Sequence, residues 1–218
     1  MPSALTFTSL QSDVRAYIER GTVNDPTVFA QIPRLINLAE RRIARELKIQ
    51  GFLVPLASAM IEGEAVITKP DRWRETVSMN LGAGVVGNEG IPRQQIFPRT
   101  YEYVRAYWPD DSVLGVPEFY ADYDYSHWVV VPTPDHAYPF EVMYYELPQM
   151  LDDENQTNWV TQYAPNVLLY ATLLEASPFL KDDARIQVWQ AMYDRSISAL
   201  NGEDLHKMID RTVARTGA

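Results

Sequence analysis

The chain has no cysteine among its 218 residues. Disulfides, thiolate metal sites and cysteine nucleophiles are therefore excluded. Histidine occurs only three times, as His127, His136 and His206. None is paired at metal-ligand spacing and no HExxH is present, so all three are expected to be structural or solvated. A P-loop and a nucleophile elbow are also missing. Gly82, Gly84 and Gly87 match the glycine spacing of a dinucleotide loop, but Asn88-Glu89-Gly90-Ile91-Pro92 follows and cannot open the helix that motif requires. Residues 82–92 are best taken as a loop. Basic residues are few, 19 against 29 acidic, for a net charge of −10. Gripping nucleic acid through clustered Lys and Arg is thus disfavoured. The most apolar run, 167–174, is only eight residues long, well short of the roughly 20 that cross a bilayer. Met1-Pro2-Ser3 opens no basic-then-apolar signal segment, so no export and no membrane contact are expected.

What is present is an ordinary globular composition, 46% hydrophobic and 22% charged. The charge is uneven. Residues 1–50 carry net +2, 51–150 net −8 and 151–218 net −4. Two helices are expected first. One is capped by Thr8 with Gln11 and stopped at Gly21. The second starts at Asp25-Pro26, has its regular part displaced downstream by Pro33, and ends at Gly51. Ile32, Leu35, Ile36, Ala39, Ile43 and Leu47 form its apolar stripe, with Arg34, Arg41, Arg42, Arg45 and Lys48 largely on the other faces.

The period then changes from helical to alternating. Residues 52–67 suggest a hairpin broken at Glu62-Gly63-Glu64, and 76–81 a further strand. A short helix is expected over 100–108. Strands at 119–125, 128–131 and 140–145 are rich in aromatic and β-branched residues. This middle reads as a small antiparallel β module.

Helices return after Pro148. Residues 167–174 are apolar on nearly every side, which requires burial all round. Asp182 and Asp183 suit the start of the next helix, where Ile186, Trp189, Tyr193, Ile197 and Leu200 make a stripe. Asn201-Gly202 breaks the pattern before a last amphipathic helix carrying Leu205, Met208, Ile209 and Val213, with Arg211 and Arg215 in its final turns. Helices, then strands, then helices indicate an α+β fold. Residues 1–50 and 150–218 would form a helical bundle, and 51–149 a β module with one short helix.

The carboxylates are the remaining candidates for chemistry. Asp110-Asp111, Asp122 with Asp124, and Asp152-Asp153-Glu154 could each serve a cation site or half of a glycosidase pair. Asp122 and Asp124, alternating with Tyr123 and Tyr125, could meet a sugar or a cation; a solvated acidic face explains the same pattern. Thirteen tyrosines and five tryptophans suit sugar binding or protein contact equally. The 167–174 segment, through Leu169 and Leu173, and the last amphipathic helix both look for partners.

Residues 32–47, the run Trp128-Val129-Val130-Val131-Pro132-Thr133-Pro134 with 140–145, and Asn158-Trp159-Val160 with 164–176 together resemble phage head-to-tail adaptor proteins of the tubular-tail-protein-A type from short-tailed phages. The likeness spans nearly the whole chain in the same order. It implies a non-enzymatic virion neck protein, made in the host cytoplasm and needing no cofactor. Such proteins form a dodecameric ring under the portal, extend the DNA channel and give the tail its platform. A stopper or nozzle subunit of the neck is the nearest alternative. By analogy, Leu205, Met208, Ile209, Arg211, Val213 and Arg215, with Leu169, Leu173, Arg41 and Arg45, would meet neighbouring subunits or the portal. Tyr120, Asp122, Asp124 and Trp128 would face the tail nozzle or tail tube. DNA would pass without sequence-specific binding.

Overall fold

The computed structural model describes residues 5–20, 25–82, 93–180 and 184–213, with side chains up to 202. It is α+β, and it divides into two units: Met1–Phe52 with Pro148–Ala218, and Leu53–Leu147.

In the helical unit, α1 (Phe7–Ile18) is capped by Thr6, whose hydroxyl accepts from the Ser9 N–H while Ser9 Oγ accepts from the Thr6 N–H. The cap expected at Thr8 is displaced by two residues, because Thr8 turns outward and donates its N–H and hydroxyl to Gln156 Oε1. The chain leaves α1 at Glu19, which takes a left-handed conformation; Gly21 lies outside the described residues. Helix α2 (Pro26–Glu46) runs straight through Pro33, contrary to the displaced start expected from that proline. Val28, Ile32, Leu35 and Ile36 are all buried around it, and their packing outweighs the one backbone bond that Pro33 cannot donate. The helix stops at Leu47, before Gly51. Leu47, Ile49 and Phe52 are buried at alternate or near-alternate positions, so extended chain leading to a 3₁₀ turn (Gln50–Phe52) buries them better. Gly51 serves closeness instead: a Cβ there would meet Trp159 Cζ2 at 2.5 Å.

After residue 148 come α4 (Trp159–Tyr163), α5 (Pro165–Leu180) and α6 (Ile186–Val213). Helix α5 packs against α1, α2, α4 and α6, so the apolar run that demanded burial all round finds it within its own unit. Two hydroxyls inside it are satisfied by the preceding turn, Thr172 to the Leu168 carbonyl and Ser177 to that of Leu173. Helix α6 is continuous through Asn201-Gly202, so the separate last helix is not seen. Gly202 costs a helix only about 1 kcal/mol relative to alanine, too little to break a long one. Asp182 and Asp183 lie outside the described residues.

The second unit holds β1 (Leu53–Ala59), β2 (Val66–Thr68), β3 (Trp73–Leu81), β4 (Gln94–Pro98), α3 (Tyr101–Tyr107), β5 (Leu114–Gly115), β6 (Phe119–Asp122), β7 (His127–Val131), β8 (Thr133–Pro134) and β9 (Pro139–Glu146). Seven strands form one sheet in the order β1-β9-β3-β4-β6-β7-β2, and β5 pairs with β8. The expected hairpin of residues 52–67 is not formed: β1 pairs with β9 and β2 with β7. Nor is the module wholly antiparallel, since β4–β6 and β5–β8 are parallel. Strand β4, glutamine-rich and short, escaped the alternation pattern. Seven flat strands would set β1 and β2 about 29 Å apart, whereas the seven steps from Ala59 to Val66 reach only about 24 Å. The sheet therefore cannot be flat, and its main buried cluster comprises Met60, Met79, Leu81, Ile96, Tyr120, Trp128, Val130, Phe140, Val142 and Tyr144. A smaller cluster, Ala65, Val104, Ala121, Val129 and Val131, seats α3.

Candidate functional site

The acidic end of β6 was the sharpest chemical candidate in the sequence, and its cation turns out to be internal. Lys69 is buried, and its ammonium lies 2.7 Å from Asp122 Oδ1 and 2.8 Å from the Asp124 carbonyl. The same group sits 3.7 Å from the Trp73 ring centroid and 5.8 Å from that of Trp128, the distance range of cation–π attraction. Asp124 does not share the strand face with Asp122. Strand β6 ends at Asp122, and Asp124 folds into the turn, where its carboxylate accepts from the Ser126 N–H and meets His127 Nδ1 at 2.9 Å. The His127 contact, then the Ser126 N–H, hold its pKa below the usual carboxylate range. Both acids are thus committed inside the chain. Among the described residues no group of three or more His, Asp or Glu could hold a metal ion.

Tyr120 and Trp128, expected to face a tail partner, are core residues. Trp128 is fully buried and donates its indole N–H to Thr76 Oγ1 at 2.9 Å. Burial and the nearby Asp122 push the Tyr120 phenol up to about 12. Exposed aromatic surface lies elsewhere in this unit. Along α3, Tyr103 and Tyr107 sit 4.5 Å apart between ring centroids, Tyr107 leads on to Trp108, and the Arg99 guanidinium lies over both Tyr103 and Phe119.

In the helical unit, Arg41 and Arg45 are exposed on α2, as the sequence suggested. Arg42 between them is differently employed. It bridges Glu46 on its own helix and Glu175 of α5, and Tyr193 of α6 donates its hydroxyl to Glu46 at 2.6 Å. Three helices are tied at that point. Beside it lies a groove of ≈ 370 Å³ lined by Leu38, Arg42, Arg45, Glu46 and Glu175. Leu173 is buried and Leu169 half-buried, so α5 presents little surface to a partner. A larger groove of ≈ 430 Å³ opens between α4, α5 and α6, with Tyr163, Tyr170, Met192, Arg195 and Leu200 among its walls. Leu205, Met208, Ile209, Arg211 and Val213 belong to α6, but their side chains lie outside the described residues, as does Arg215 altogether.

Sequence reasoning missed Glu40. It is fully buried, accepting from the Leu151 N–H at 3.1 Å and from Asn158 Nδ2 at 2.6 Å, while Asn37 donates to the Leu151 carbonyl. Asn158 in turn caps α4. Burial pushes the Glu40 carboxyl from 4.5 up to about 7, despite these bonds and the Arg41 charge. The signal was available in the spacing. Glu40 falls four residues after Ile36 and three before Ile43, on the stripe that faces inward.

No helix among the described residues is long and apolar enough to cross a membrane. A family model described as SU10 adaptor protein matches residues 5–216, spanning both units. Comparison with curated proteins yields no match.

Proposed function

Because the chain belongs to the SU10 adaptor protein family, a family of phage structural adaptors located in the virion, we propose that it joins head to tail in a short-tailed phage. On this reading, copies form a ring, twelve in number, seated beneath the portal. The ring extends the channel through which DNA leaves the head and carries the tail nozzle or tail tube. The observation that carries the reading is the extent of the family match, which takes in both units rather than one shared fragment.

The chemistry is compatible with such a passive role. An adaptor has to offer separate faces to a neighbour, a portal and a tail, and a heterologous ring contact uses a different surface on each side. The groove between α4, α5 and α6, the arginine face of α2 and the aromatic ridge of α3 are three such faces. A net charge of −10 repels phosphate and favours sliding over gripping. The carbohydrate- or cation-binding alternative loses its main support, since Asp122 and Asp124 are engaged by Lys69 and His127.

Genetic depletion tests the proposal. Phage made without this chain should accumulate as filled heads lacking tails, and supplying it in trans should restore tailed particles. Normal tailed virions in its absence would refute the assignment.

A further inference from the structure

We infer that the exposed face of α2 receives the turn at residues 61–64 of a second copy of this chain; the inference deepens the ring reading and rests on it. Arg34, Leu38, Arg41 and Arg45 fall at i, i+4, i+7 and i+11 and so share one face about 16 Å long. All four are exposed, Leu38 by 39%. Neither Arg34 nor Arg41 makes an ion pair among the described residues, and the Arg45 side chain reaches only the Arg41 carbonyl. Arg42, one step round the helix, is already neutralised by Glu46 and Glu175. The face is therefore one leucine set among three arginines without ion pairs among the described residues, in a chain whose net charge is −10. The groove of ≈ 370 Å³ beside Leu38 gives it depth.

The turn in the β unit has the opposite character. Ile61 is 59% exposed, and Glu62 and Glu64 follow it, exposed and without an ion pair among the described residues. The turn is held rigidly: Gly63 donates to the Pro134 carbonyl at 2.9 Å and Glu64 to that of Ile61 at 3.1 Å. Gly63 has φ +78°, a conformation that favours glycine. A pre-formed tip with one aliphatic side chain and two carboxylates matches a face with one leucine and three arginines. The carboxylates would meet Arg41 and Arg45, whose positions four residues apart are about 6 Å from each other. The two surfaces differ, so the contact is heterologous and can propagate from copy to copy.

The absence of native cysteine allows a direct test. Leu38→Cys and Ile61→Cys are made separately in the full chain, and the two variants are mixed in the presence of portal under mild oxidation. A covalent heterodimer is expected from the mixture and not from either variant alone, and a chain carrying both substitutions should give a ladder of higher species. Adding R41E and R45E to the Leu38→Cys chain should lower the cross-linking rate about tenfold, and E62R with E64R in its partner should restore it. Self-cross-linking of the Leu38→Cys variant at the same rate would overturn the pairing. So would failure of the mixture to cross-link although the wild-type chain sediments as an oligomer, free or on portal; the ring reading then survives. If the chain stays monomeric with portal present and nothing cross-links, the ring reading itself fails. Binding of a random-sequence DNA duplex that R41E and R45E abolish would assign the face to phosphate instead, and would overturn the inference.

Discussion

Glu40 shows what a single residue can hide in an apolar stripe. Its carboxyl titrates at about 7 in the fold against 4.5 when free, so ionisation opposes folding. The stability it withholds is fully withheld above pH 7, is regained as pH falls through 7, and is complete below 4.5. The difference amounts to about 3 kcal/mol. Urea titrations should therefore find the helical unit more stable at pH 5.5 than at pH 8, and Glu40→Gln should flatten that slope. A slope unchanged by the substitution would contradict the assignment. Glu40→Ala should behave differently, since it leaves the Leu151 N–H and Asn158 amide without an acceptor, at a cost of about 2–4 kcal/mol. Lys69 is the second residue of this kind. Lys69→Ala removes its bonds to Asp122 and to the Asp124 carbonyl and its place against Trp73; because Asp122 remains mostly solvated, a loss of about 2–3 kcal/mol is expected, at the low end for a buried pair. Trp73 and Trp128 fluorescence would report the unfolding. The inward position of Glu40 was legible in the spacing, but its role was not, nor was that of Lys69, because burial of a charged side chain depends on partners supplied far along the chain: Leu151 and Asn158 donate to Glu40, and Asp122 accepts from Lys69.

At the scale of elements, local pattern carried well where one face had to be buried. The stripe Ile186, Trp189, Tyr193, Ile197 and Leu200 is the inward face of α6, with Trp189 stacked on Tyr170 and edge-on to Tyr17. The all-round apolar run of α5 is buried as its composition demanded. Pattern failed where pairing is non-local. Strands β1 and β2 are adjacent in sequence yet lie at the two ends of the sheet order, which no hairpin signal encodes, and alternation cannot tell parallel from antiparallel partners. Single punctuating residues misled as well: Pro33 and Gly202 both sit inside continuous helices. Gly51 acts through space rather than through the chain. Gly51→Ala should push Trp159 from its edge-on contact with Phe52 and cost about 1–3 kcal/mol, seen as a lowered Tm with altered tryptophan emission. On the proposed reading, the end of α6 and the residues after it reach the portal. Removing residues 203–218 is expected to leave the thermal transition of the chain close to wild type while abolishing portal docking. Docking by the truncated chain would assign those residues to the fold instead.

For the whole molecule, charge is the feature that composition made visible and the structure refined. Basic side chains are concentrated in residues 1–50 and acidic ones beyond. Twelve copies would carry a formal charge of −120, so at low ionic strength free subunits should repel one another and remain monomeric. A portal template would supply the contacts that overcome this repulsion. If acidic side chains line the channel, replacing them by lysine should slow genome release, because phosphate would then be held rather than passed. The ring is the property on which the proposed role of the whole molecule depends. The most direct measurement is electron microscopy of the full chain mixed with its portal. A closed ring of this protein, stacked on the portal and continuous with its channel, is the predicted result. Portal particles bare of the chain, or decorated by isolated copies that never close, would contradict it.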